Sequence, residues 1–360
     1  MVKILGLFPL TGNGGIASWT KKFLDSFPNN EYQIFPINVS PKDSIKRRKP
    51  LYRIYSGISA LFRIYKEVKS VLRNQHFNIL HTTTSGSIGA LRDCIIANLC
   101  KKKGVKTIMH CRYGCITENY HANNLIGYLT RKSMSIFDQI WVLDKRSYNN
   151  LKEIESLRNK VFLTPNSIDV VYPIDETPKK YGKVAFIGNL IPTKGLFELV
   201  EACVQIDVTL DIIGPGTTDI VNRVKEIAGD KLDKTIFIHG RLPNQEAVKF
   251  MREVDIVALP TYYPSEAFPI SILEAMSLSK MVISCSHAAV PDMLTSENGE
   301  PCGILVEQKS VTGIINAIKF CQTNSEEADK ICQRAYNRVY KNYRKEVVYD
   351  IYRKLYDSLS

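Results

Sequence analysis

The chain of 360 residues contains no apolar run long enough to cross a bilayer, so no segment is predicted to span a membrane. Its apolar opening, Met1–Leu10, is short, runs into a glycine-rich turn and lacks a small-residue cleavage site. It reads as a buried first strand and not as a signal peptide. Nine cysteines are scattered with no C-x-x-C pair and no zinc-type spacing with histidine. Reduced thiols of a cytoplasmic protein are the simpler reading, with a metal site near His110, Cys111 and Cys115 as the rarer alternative. No G-x-G-x-x-G follows a strand and no acidic residue ends the second predicted strand, so the fingerprint of a nicotinamide-linked dehydrogenase is missing. No Asp-x-Asp motif is present to hold a divalent cation, and no metal or organic cofactor is expected.

What is present is ordinary globular material. Apolar residues make up 44% and charged residues 23%, and the length suits two domains. Short apolar runs at 2–8, 32–38, 77–81, 105–110, 139–143 and 161–164 alternate with helical patterns near 14–27, 51–73, 86–102, 121–135 and 145–157. Strands separated by helices imply a parallel sheet, because each right-handed crossover returns the chain in the same direction. The stretch 171–182, with two prolines and a glycine, reads as a linker. The alternation then restarts, with strands at 184–187, 208–213, 236–239, 256–259, 281–285 and 304–306, and a long helical stretch closes the chain at about 325–357. The expected fold class is α/β, with two doubly wound units facing a cleft. The domains expected are 1–175, 176–340, and a C-terminal helix, 341–360, packing back on the first.

Four strand ends carry candidate chemistry. Thr11–Ser18, with Gly14 and Gly15, follows the first strand and opens a helix, where backbone N–H groups can meet an anion; a tight turn explains the glycines equally well. Gly188–Gly195 is a second strand–loop–helix junction. Lys194 stands at its helix start, where the helix dipole disfavours a cation unless it reaches a phosphate or lies in solvent. The third segment, Pro260–Met276, places Glu266 in a loop, Pro269 at a helix start and Glu274 inside a helix flanked by Ile270, Ile272, Leu273, Ala275 and Met276. A carboxylate among such residues needs a polar partner, either a ligand hydroxyl or a group of the core. Two carboxylates around one helix N-terminus suit a sugar and a ribose, with phosphates at the N–H groups between. The fourth is His110, which closes an apolar strand at the edge where open α/β sheets hold ligands, or is a satisfied core histidine. Gly214–Gly216 ends a further strand at the same kind of edge.

In this order the motifs resemble the retaining glycosyltransferases of family 4, the glycosyl transferases group 1, whose fold is GT-B. The resemblance covers nearly the whole chain. It rests on the Gly14–Gly15 loop, His110, the turn Pro165-Asn166-Ser167-Ile168-Asp169, Lys194-Gly195, and Glu266 with Glu274 in the spacing E-x7-E. It implies that Lys194 holds the diphosphate of a UDP- or GDP-sugar, that Glu274 binds the ribose and that Glu266 binds the donor sugar. It further implies that the amides of Phe268, Ile270 and Ser271 meet the phosphates, that Arg241 and Leu242 flank the base, and that His110 lies near the transferred sugar. Gly14, Gly15 and Gly214 complete the expected donor surroundings. Asn189 stands where the family usually carries a second cation, which implies either a weaker phosphate clamp or a shift of that task to Arg241 or Arg112. The resemblance implies hexose or N-acetylhexosamine transfer to a saccharide or lipid-linked acceptor in surface-polysaccharide assembly, with no nucleic acid involved. Alternatives of the same fold are a nucleotide-sugar 2-epimerase and a non-catalytic nucleotide-sugar-binding protein.

Charge is divided unevenly. Residues 1–175 hold 26 Lys/Arg and 12 Asp/Glu, net +14, and the remainder is −2. Lys46-Arg47-Arg48-Lys49 precedes a helical stripe of Leu51, Ile54, Tyr55, Ile58, Leu61, Phe62, Tyr65, Val68 and Leu72. Two readings stand: a core-facing helix with a solvated basic face, or peripheral docking on an anionic bilayer.

Overall fold

The computed structural model describes residues 1–12, 15–28, 30–40, 50–84, 86, 89–169, 172–173 and 179–360, with 50–54 described by backbone alone. Gly14, the basic run 46–49 and much of the expected linker therefore lie outside the described residues. The chain divides into two compact units, one of Met1–Pro165 with Tyr349–Ser360 and the other of Asn166–Val348.

The first unit is a six-stranded parallel sheet in the order β2-β1-β3-β4-β5-β6. Its strands are β1 (Val2–Phe8), β2 (Tyr32–Asn38), β3 (Ile79–Thr84), β4 (Lys106–Cys111), β5 (Gln139–Val142) and β6 (Val161–Leu163). Strand β3 extends three residues past the expected end, through Thr82-Thr83-Thr84, and is buried throughout. A hydropathy pattern misses such residues. They fit because they are β-branched and because the hydroxyls of Thr82 and Thr83 donate to the carbonyls of Ile108 and Leu7 on neighbouring strands. The helices are α1 (Gly15–Ser26), α2 (Pro50–Asn74), α3 (Gly89–Lys101), α4 (Ile116–His121), α5 (Leu125–Ile136) and α6 (Lys145–Lys152). The single helix expected near 121–135 is two, separated where Asn124 caps α5 by accepting from the Gly127 amide at 3.0 Å.

The second unit repeats the plan, with strand order β12-β11-β10-β7-β8-β9. These strands are β7 (Lys183–Ile187), β8 (Thr209–Ile213), β9 (Ile236–Gly240), β10 (Ile256–Leu259), β11 (Met281–Cys285) and β12 (Ile304–Val306). The connecting helices are α7 (Leu196–Gln205), α8 (Thr218–Ala228), α9 (Asn244–Glu253), α10 (Ile270–Ser277), α11 (Val290–Leu294) and α12 (Val311–Thr323). Strands β10 and β11 are fully buried and near-continuously apolar, as a sheet covered on both faces requires. Each sheet reverses its winding once, between β1 and β3 in the first and between β7 and β10 in the second.

The expected long final helix is broken into α13 (Ser325–Asn342) and α14 (Lys345–Asp357). The Ile168 amide donates to the Tyr343 carbonyl at 2.9 Å, and the Lys345 amide to the Ile168 carbonyl at 3.0 Å. Backbone groups that would continue the helical ladder are spent on Ile168. The same contact explains why the chain enters the second unit at Asn166, ahead of the expected boundary at 175. The return to the first unit falls at Tyr349, where the sequence reading placed a break at 341. All nine cysteines are free thiols.

Candidate functional site

Doubly wound sheets hold ligands beyond the carboxyl ends of the strands, where the winding reverses. In the second unit that point lies between β7 and β10, so the loops that follow these strands meet there. Close backbone approach is enforced by glycines. Gly188 and Gly214 end β7 and β8 with φ of +155° and +149°, and a Cβ on Gly214 would overlap the carbonyl of Gly188. The Gly188 amide donates to Ile213 at 3.0 Å and the Gly214 amide to Gly240 at 2.7 Å, which laces the ends of β7, β8 and β9 together. Gly195, at φ +73°, lies directly on Pro260, and the Tyr262 amide donates to the Thr193 carbonyl at 2.8 Å.

This lacing brings Lys194 to Glu266. The Lys194 Nζ lies 3.0 Å from Glu266 Oε2, with only 15% and 13% of the two side chains exposed. The contact is a short ion pair lacking the alignment of a hydrogen bond, because Oε2 is buried without a hydrogen-bond partner. The Glu266 loop is braced from β11: His287 Nε2 donates to the Tyr263 carbonyl at 2.8 Å, and the Ala289 amide to Ala267 at 3.1 Å.

Pro269 leads into α10, whose N-terminus no side chain caps. The first-turn residues Ile270 and Ser271 are partly exposed, while Ile272, Leu273, Ala275 and Met276 are buried. Glu274 is 8% exposed, and Asn244, the first residue of α9, donates from Nδ2 to its Oε1 at 3.0 Å. Phe268 is buried against Tyr343, and its carbonyl accepts from Asn166 Nδ2 at 2.8 Å. Asn166 and Asn244 brace the candidate site, a role that their local sequence does not reveal. The first lies in the turn after β6, and the second lies 30 positions from the carboxylate it holds. Asn189 and Arg241 are exposed and Leu242 half-buried, on the loops after β7 and β9.

The first unit places its expected residues differently. Gly15 opens α1 and is exposed. His110 ends β4, as expected, but has no exposed surface. Its Nε2 lies 3.2 Å from an Arg112 nitrogen and its Nδ1 lies 3.2 Å from His81 Nε2, while His81 Nδ1 meets the Tyr356 hydroxyl at 2.6 Å. Arginine only donates, so His110 accepts at Nε2 and carries its proton on Nδ1; His81 accepts in turn and donates to Tyr356. Trp19 and Trp141 enclose the pair, and the Arg112 guanidinium sits 4.0 Å over the Trp19 ring. Burial, and then the Arg112 charge, push His81 down to about 3 and hold His110 well below the usual imidazole range. Both rings are therefore neutral. Both nitrogens of His110 are thus engaged within the first unit. Among the described residues no group of three or more His, Cys, Asp or Glu is placed to hold a metal.

Two successive doubly wound units, the second with Lys194 and Glu266 paired at its switch point, define the GT-B class of α/β protein. Residues 172–338 match the family described as Glycosyl transferases group 1. A protein of Methanocaldococcus jannaschii described as an uncharacterized glycosyltransferase is 24% identical over 93% of this chain and 88% of its own. Among solved structures, sucrose-phosphate synthase from Thermosynechococcus elongatus superposes with a TM-score of 0.78 at 15% identity, over 100% of this chain and 99% of that one. HepE of Anabaena in complex with UDP superposes at 0.73 and 15% identity, over 99% and 100%. Residues 172–338 thus carry a glycosyl transferases group 1 domain, the chain has the GT-B fold, and the protein is a glycosyltransferase.

Proposed function

We propose that the protein is a retaining glycosyltransferase of family 4. It moves a hexose or N-acetylhexosamine from a UDP- or GDP-sugar to a saccharide or lipid-linked saccharide, at the inner face of the cell membrane, in surface-polysaccharide assembly. The observation that carries this reading is the Lys194–Glu266 pair, 3.0 Å apart at the switch point beside the uncapped start of α10. As the glycosidic bond breaks, negative charge grows on the β-phosphate of the leaving nucleoside diphosphate. Lys194 and the amides of Ile270 and Ser271 are fixed groups that stabilise it without a metal ion. Glu274, oriented by Asn244, takes the ribose hydroxyls, and Glu266 takes a hydroxyl of the sugar. UDP in HepE, a protein of the same fold, supports a uridine donor.

Donor screening by thermal shift against UDP- and GDP-sugars, followed by product analysis, tests the reading. Lys194→Ala is expected to lower kcat/KM by about 10²–10³, or about 2.7–4 kcal/mol of barrier. Glu266→Ala is expected to abolish turnover with donor binding largely kept, chelators should leave the rate unchanged, and the product should keep the anomeric configuration of the donor. Wild-type turnover in Lys194→Ala would sink the proposal.

A further inference from the structure

We propose that His287 is a positioning residue for Glu266, and that it sets how sharply the protein tells one donor sugar from its epimer. The inference rests on the donor reading above, in which Glu266 takes a hydroxyl of the sugar. It adds to that reading the side chain that governs selectivity.

Glu266 is poorly fixed by its own side chain. Its Oε2 faces Lys194 at 3.0 Å but has no hydrogen-bond partner. The loop tip before it, Pro264 and Ser265, is exposed, and burial resumes only at Ala267. The place of the carboxylate therefore depends on the backbone of residues 262–267. On one side the Tyr262 amide ties that backbone to Thr193. On the other side the Tyr263 carbonyl accepts twice. The Glu266 amide donates to it at 2.9 Å, which closes the turn, and His287 Nε2 donates to it at 2.8 Å. His287 thus grips the atom that closes the turn carrying Glu266. The Ala289 amide holds the exit of the loop at the Ala267 carbonyl, 3.1 Å away.

The anchor behind His287 is firm. Strand β11 is buried throughout, and the Ser284 hydroxyl donates to the Leu259 carbonyl at 2.5 Å, joining the ends of β11 and β10. Ala288 has φ +48°, a left-handed conformation that an L-residue keeps only where its surroundings over-determine it. The Val290 amide closes this turn on the His287 carbonyl at 3.0 Å. The turn delivers the ring of residue 287 and the amide of residue 289 to the same loop.

Selectivity is the property such a brace controls. Epimers differ in the direction of one hydroxyl, and a carboxylate tells them apart only if it is held within about 0.5 Å of its place. The Lys194 charge acts on a phosphate over a longer range. A loosened loop therefore loses discrimination before it loses the donor.

The test compares kcat/KM for release of nucleoside diphosphate within three donor pairs: UDP-glucose and UDP-galactose, UDP-N-acetylglucosamine and UDP-N-acetylgalactosamine, GDP-mannose and GDP-glucose. The wild type is expected to favour one member of a pair. His287→Ala should lower that ratio about tenfold, and His287→Asn, too short to reach Tyr263, should do the same. His287→Gln, whose terminal amide can donate in place of the ring nitrogen, should restore most of it. Ala288→Gly removes the strain and leaves both bonds in place, so it should shift the melting temperature and keep the ratio. An unchanged ratio in His287→Ala and His287→Asn overturns this inference and leaves the donor chemistry standing. A ratio that falls equally in Ala288→Gly reduces His287 to a structural role and overturns it too, as does a wild type that uses both members of every pair equally. A wild type that releases nucleoside diphosphate from none of the six overturns the donor reading and this inference together.

Discussion

A histidine at the end of an apolar strand is legible in the sequence as a candidate, but what it does is set by neighbours that are far away in the chain. His110 is flanked by Arg112, yet its fate is decided by His81 and by Tyr352 and Tyr356, which arrive from the C-terminus. The pair has a consequence for stability. Both rings are neutral in the fold and titrate near 6.5 when unfolded, so below that pH the unfolded chain binds protons that the folded chain refuses. Stability is therefore fully present above about pH 6.5 and is lost as pH falls towards the folded value of His81, about 3. Each histidine steepens that loss by up to about 1.4 kcal/mol per pH unit. Denaturant melts of the wild type between pH 7 and 5 should show the decline. His81→Gln, less stable at pH 7, should flatten it; a wild type with no slope above the carboxylate range would disprove the neutral pair. By contrast, Glu274 was legible as a buried carboxylate in need of a partner, but nothing in the local sequence names Asn244 as that partner.

At the scale of the element, the twelve strands were nearly all readable, because β-branched apolar runs between turn residues are a local signal. The misses have local physical causes. Thr82–Thr84 is polar by composition yet pays its hydrogen-bond debt to adjacent strands, and the long C-terminal pattern is cut at Tyr343 by the backbone of Ile168. The junctions after β7 and β8 depend on glycine at two points. Gly214→Ala sets a Cβ against the Gly188 carbonyl and imposes φ +149° on an L-residue. Backbone cannot yield as a side chain does, so a loss of about 2–5 kcal/mol is expected, with weakened donor binding. Gly240→Ala, at φ +68° and with nothing within 4 Å, is the control and should cost about 1–2 kcal/mol. Equal melting temperatures for the two variants would show that the lacing of these loops is not what limits stability.

For the whole molecule, the last twelve residues, Tyr349–Ser360, are structurally part of the first unit. Tyr352 and Tyr356 are fully buried there, Gln139 donates to the Leu355 carbonyl and to the Ser358 hydroxyl, and Tyr32 donates to Asp357. Losing two buried aromatic side chains costs on the order of 6–10 kcal/mol, which is comparable with the entire stability of a domain. Truncation after Val348 is therefore expected to unfold the first unit while calorimetry still finds a cooperative transition for the second. Tyr356→Phe, which strands only a proton on His81, should cost about 1–3 kcal/mol. A truncated chain with two intact transitions would refute this dependence. By itself, the sequence determined two parallel α/β units and singled out Lys194, Glu266 and Glu274 as candidates at strand ends, because periodicity, glycine placement and isolated charges in apolar runs are local properties. Tertiary structure alone decided that Lys194 and Glu266 touch, that Asn244 and Asn166 serve the same region, that His110 is a core residue, and that the chain's end completes its beginning. Each of those outcomes joins residues tens to hundreds of positions apart, and such pairings are selected by packing and hydrogen-bond satisfaction, which no local pattern encodes.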